Sequence, residues 1–187
     1  MISLILFVLA AANSVQTSEL PPQRPMNEMH GDCSNYHWNL SKELSLSARA
    51  PTSLASQARP EHLPPADVDR PYAVVLQPQT SVTFATKPGE DRGGPAKFSG
   101  LLAFTPPTDG IYRISASTGL WIDVVESGSL VPSAAHEMQT GCKTIFKSVA
   151  YRLKGGSPLI VQFNGSPNEI VRMLITEWPA VSGKPQN

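Results

Sequence analysis

The stretch FSGLLAFTPPTDGIYRISAS, residues 98–117, decides the fold. Leu102 and Phe104 share one face of an extended segment. Pro106-Pro107-Thr108-Asp109-Gly110 is a dense turn signal, because proline presets φ and glycine supplies the conformations other residues avoid. After the turn, Tyr112, Ile114 and Ala116 face one way and Ile111, Arg113 and Ser115 the other. Period two on both sides of a short turn predicts two β-strands rather than a helix.

The same pattern extends outward. Residues 120–125, 145–153, 158–163 and 170–177 read as strands downstream. Tyr72, Val74 and Leu76 alternate upstream, and Val82 and Phe84 alternate after Pro78. Residues 87–97 read as a charged Gly/Pro loop, and residues 126–143 as a long loop that contains His136 and Cys142. No amphipathic helix separates the strands, so βαβ units are excluded. About eight strands in roughly 106 residues predict an all-β antiparallel sandwich of jelly-roll type over residues 72–178, with an up-and-down barrel as the alternative.

The region before Tyr72 differs. Residues 15–32 are polar and broken by proline, and read as a disordered tail. Residues 33–50 hold two aromatics and then a short helix, with Asn39 as N-cap and Leu40, Leu44 and Leu46 as its apolar stripe. Pro51 ends it. Residues 51–71 hold five prolines and read as an extended connector. Residues 179–187 read as a C-terminal tail.

At the N-terminus, Leu4 to Ala12 forms an unbroken apolar run, too short for a membrane span and of signal-peptide length. Small residues place cleavage after Ala12 or Ser14, although Met1-Ile2-Ser3 lacks a basic side chain. A buried N-terminal strand or helix is the competing reading. A signal peptide over residues 1–14 predicts a periplasmic or secreted chain with no transmembrane segment after cleavage. In an oxidising compartment Cys33 and Cys142 are expected to pair. The loop they close spans about 110 residues, for which chain entropy gives at most about 4–5 kcal/mol. The competing reading is a thiol nucleophile beside His136.

Composition narrows function further. Fifteen basic and fifteen acidic side chains cancel, and only 16% of the 187 residues are charged. Bulk electrostatic binding to nucleic acid is therefore excluded. Two cysteines are too few for a disulfide-dense miniprotein or a four-cysteine zinc site.

Three candidate sites emerge. On a strand, Trp121 and Asp123 share a face, which suits a sugar: the ring stacks on indole and the carboxylate accepts hydroxyls. The competing reading puts Trp121 in the core and ties Asp123 to a neighbouring backbone or Arg. A metal site would need His37 and His136, each close in sequence to a cysteine of the expected bridge. No H-x-H, H-E-x-x-H or C-x-x-C spacing supports it, and His30 and His62 fall in segments expected to be mobile. A hydrolytic set of Ser133, His136 and Glu137 lacks the G-x-S-x-G elbow. No cofactor is expected, since Gly93-Gly94-Pro95 has neither the helix nor the lysine of a phosphate loop. Asn39-Leu40-Ser41 and Asn164-Gly165-Ser166 match the glycosylation pattern by chance.

Two resemblances add to this reading. Residues 104–115, with Pro106, Gly110 and Tyr112, resemble the strand–turn–strand of prepeptidase C-terminal jelly-roll modules. These are secreted accessory domains, which implies a non-catalytic role. A longer pattern runs through Trp38, Glu43, residues 98–104, Gly110, Tyr112, residues 121–125, Pro132-Ser133-Ala134, Cys142 and Lys147-Ser148-Val149. It is similar to a group of small exported proteobacterial proteins. The name homogentisate 1,2-dioxygenase, sometimes attached to that group, implies iron held by two histidines and a glutamate in a cupin barrel. No matching His/Glu spacing occurs here, and no catalytic residue is carried over. The expectation is thus an exported non-catalytic binding or envelope-accessory module, with a glycan or another envelope protein as partner. A small metal-dependent enzyme is the alternative.

Overall fold

A computed structural model describes residues 20, 23–94 and 96–178. The expected signal peptide and C-terminal tail lie outside the described residues. Among these residues the chain forms β1 (Thr52–Ala55), β2 (Pro65–Ala66), β3 (Tyr72–Val75), β4 (Gln77–Pro78) and β5 (Phe98–Phe104). It continues with β6 (Gly110–Ala116), β7 (Trp121–Glu126), β8 (Ser129–Val131) and β9 (Ser133–Met138). It ends with β10 (Lys147–Leu153), β11 (Leu159–Ser166) and β12 (Ile170–Glu177). One α-helix, α1 (Ser41–Ser47), precedes them.

The strands make two sheets. The first has the order β1-β3-β12-β6-β10-β9. The second has the order β2-β5-β11-β7-β8, with β4 also on β5. The sheets face one another as a sandwich and do not close into a barrel. Period two explains the core: Tyr72, Val74, Tyr112, Ile114, Val149, Tyr151 and Ile175 of the first sheet meet Leu102, Phe104, Ile122, Val124, Val161 and Phe163 of the second.

Two stretches differ from expectation. Residues 82–85 form no strand; a 3-10 turn at Gln79–Ser81 leads into a loop that runs to Lys97. The reason is pairing: β5 already has β11 on one side and β2 and β4 on the other, leaving no free edge there. Conversely, β8 and β9 lie in the segment that reads as a long loop. Their sequences, Ser-Leu-Val and Ser-Ala-Ala-His-Glu-Met, carry no apolar stripe, so strand pairing rather than periodicity defines them.

The segment before β1 is also ordered where it is described. Residues 23–48 lie across the outer face of the first sheet. Tyr36, Trp38 and Leu40 pack there on Ile111, Ala135, Ala150 and Ile145. Met29, in the part expected to be disordered, is fully buried. Its neighbours are pinned by the wholly buried Gln139, which accepts from the Gly31 amide and donates to the carbonyls of Glu28 and Asn35. Glu137 accepts from the backbone amides of His37 (2.8 Å) and Trp38 (3.1 Å) and from Arg24. The Cys33–Cys142 disulfide clamps this strap across 109 residues, with a Cα–Cα distance of 4.5 Å. The expected connector contributes β1 and β2 to the two sheets.

Helix α1 buries a charge as well as leucines. Asn39 Oδ1 accepts from the Ser41 amide at 3.0 Å, as a cap would, although Leu40 occupies the N-cap position itself. Glu43, wholly buried, pairs with Arg113 of β6 and accepts from Thr176 of β12. Arg113 also donates to the Asn39 carbonyl at 2.9 Å and lies 4.7 Å from the Trp178 ring centroid. Burial lowers the Arg113 pKa and the Glu43 carboxylate opposes that shift.

Candidate functional site

The site grows from an incomplete strand pairing. β8 covers only Val124 to Glu126 of β7, so residues 121–123 present a free edge where the two sheets part. In the first sheet, Lys147, Val149 and Tyr151 point inward in phase. On the neighbouring β9, His136 sits opposite Val149 and Ser133 opposite Tyr151. Tyr151 bridges the gap, its hydroxyl donating to the Ile122 carbonyl at 2.7 Å. The result is a pocket of about 200 Å³. It is lined by Trp121, Asp123, His136, Lys147 and Tyr151, with Leu130, Val131, Pro132 and Ser133 along the crossover between the sheets.

Trp121 and Asp123 leave β7 on the face away from the core. The indole Nε1 donates to Asp123 Oδ1 at 2.8 Å. Asp123 Oδ2 accepts from the Gly89 amide at 3.1 Å and from Gln162 Nε2 at 3.3 Å. This buried carboxylate thus joins the indole, the 79–97 loop and β11. It orients Trp121 instead of offering a free acceptor.

Lys147 is the cation lining the pocket. Its ammonium lies 4.6 Å from the Trp121 ring centroid, and the Arg92 guanidinium lies 5.8 Å from the same ring. Burial lowers the Lys147 pKa to about 8, Arg92 adds to the shift, and Glu90 and Asp123 oppose it. Burial also lowers the His136 pKa, helped by the charge of Lys147. The Tyr151 hydroxyl is pushed up, first by burial and then by Asp123, so it stays a donor.

Of the sequence candidates, Trp121, Asp123 and His136 meet at this pocket. His37 does not join them: it is an exposed residue of the strap, on the other face of the first sheet. Among the described residues no group of three or more His, Cys, Asp or Glu side chains is placed to hold a metal. Ser133 and His136 both line the pocket, but Glu137 alternates to the opposite face and serves the strap. Cys142 is in the disulfide and offers no thiol. Asn164, read as part of a chance glycosylation pattern, is buried and joins Gln79 to the Glu90 carbonyl.

Sequence reasoning missed Lys147 and Tyr151. A signal existed: in Lys147-Ser148-Val149-Ala150-Tyr151 the lysine is in phase with two core residues. A cation in a core register is costly unless something receives it. Comparison with family models, curated proteins and solved structures gives no match.

Proposed function

We propose that this chain is an exported, non-catalytic binding module that takes one small polar organic unit, a terminal sugar residue of a glycan, into the pocket beside Trp121. The observation that carries this reading is the convergence of Trp121, His136, Lys147 and Tyr151, from strands of both sheets, on one opening. The half-buried indole supplies an apolar wall, while Ser133 and His136 supply hydroxyl partners. Glycoside hydrolysis needs two free carboxyl groups. Here Asp123 is held by three donors and Glu137 faces the strap, which favours binding over turnover.

Export is supported by the apolar run Leu4 to Ala12 and by the disulfide. No helix among the described residues is long and apolar enough to cross a membrane. Calorimetric titration of the purified chain with a panel of mono- and oligosaccharides tests the binding site. A bound sugar whose affinity drops about tenfold or more in Trp121→Ala is expected, the loss of a stacked anchor. An unchanged affinity in a folded Trp121→Ala variant would place the site elsewhere.

A further inference from the structure

We propose that the ligand of this pocket carries a carboxylate, and that Lys147 is the residue that binds it. The proposal rests on the pocket being the ligand site and goes on to its chemistry. Lys147 is only 8% exposed. Among the described residues no carboxylate lies within 4 Å of its ammonium, whereas six other ion pairs are formed. The ammonium has the Trp121 ring beside it but no anionic partner among these residues, and a counter-ion from outside offsets the cost of desolvating its side chain.

The charged groups around Lys147 leave the role open to such a ligand. From β7, Asp123 is occupied by Trp121, Gly89 and Gln162. From the 79–97 loop, Glu90 is paired with Arg92 at 2.9 Å. From β9, His136 adds positive charge whenever it is protonated. Asp123 and Glu90 each act on Lys147 from a distance but have other direct partners, so among the described residues of the pocket the ammonium is the one charged group free to contact a ligand. A single ammonium matches a monoanionic carboxylate better than a dianionic phosphate.

Size limits the ligand further. Sites for drug-sized molecules run from about 300 to 1,000 Å³. A pocket of about 200 Å³ takes one ring or one short acid. Two sources share this chemistry: the terminal uronate of a glycan and a free monocarboxylic acid.

The experiment titrates the full chain with glucuronate, glucose and benzoate at about pH 6.5 and about pH 9. At the lower pH glucuronate is expected to bind at least about tenfold more tightly than glucose, as for other charge-assisted contacts. With a Lys147 pKa of about 8, about nine-tenths of the ammonium is lost at the higher pH, and the advantage shrinks about tenfold. Lys147→Met is expected to abolish the preference, and Lys147→Arg to retain it.

Equal binding of glucuronate and glucose at both pH values, unchanged in Lys147→Met, overturns the carboxylate proposal and leaves the sugar pocket standing. Lys147-dependent binding of benzoate with no sugar bound supports the carboxylate and removes the glycan. Binding of none of the three overturns both readings. The pH series on the unmodified chain decides the matter even where a Lys147 variant fails to fold.

Discussion

Lys147 stands in β10 where an apolar side chain would satisfy the core register, and its charge has a consequence for stability. Its pKa is about 8 in the folded chain against an ordinary value of 10.5. Between these values the unfolded chain holds more of the proton, so stability rises as pH rises through about 8. Near pH 10 the slope reverses, because Tyr36 and Tyr151 are raised by burial and ionise only on unfolding. Urea unfolding across this range is expected to show that maximum, and Lys147→Met to flatten the rising limb. The same variant is expected to gain on the order of 1–3 kcal/mol at neutral pH, since it removes a largely desolvated cation that has no anionic partner among the described residues. A rising limb unchanged in Lys147→Met would assign it to another group. Trp121 and Asp123 are legible in sequence as a pair because alternation puts them on one face. The competing reading already tied Asp123 to a backbone group, but that the donor is the Gly89 amide was not legible, because the loop that supplies it lies 34 residues upstream.

At the scale of elements, periodicity identified those strands that bury one face in the central core. It failed for β8 and β9, whose stability comes from pairing and from the strap. β9 shows why. Its His136 backbone is capped by the Gln23 side chain, which donates to the carbonyl at 2.7 Å and accepts from the amide at 2.9 Å. A side-chain amide here stands in for a neighbouring strand, and no local pattern announces it. Glu43 is similar: it lies outside the expected apolar stripe of α1, and only the fold reveals Arg113 above it. The bridge between Cys33 and Cys142, by contrast, was legible from a count of two cysteines and the expectation of an oxidising compartment. Replacing both cysteines by serine is expected to cost up to about 4–5 kcal/mol in urea unfolding. Protease nicking within residues 23–48, ahead of the sandwich, is the expected accompanying sign that the strap has been released. Loss of the bridge with neither effect would mean that Tyr36, Trp38 and Met29 hold the strap unaided.

For the whole molecule, the arrangement divides labour between the faces of the first sheet. The outer face is closed by the strap, which uses Glu137, Gln139 and Arg113 for structural bonds. The inner face opens at the uncovered end of β7, where Lys147 and His136 remain available. A sandwich was legible from strand spacing, but the position of its opening was not, since it depends on β8 stopping short of Asp123. The proposed function turns on a ligand binding at this opening. Titration with glucuronate followed in a ¹H–¹⁵N correlation spectrum checks this. The Trp121 indole N–H and the amides of Ile122, His136 and Lys147 are expected to shift most, while those of the strap at Tyr36 and Trp38 hardly move. An unperturbed Trp121 indole with saturable shifts elsewhere would contradict it.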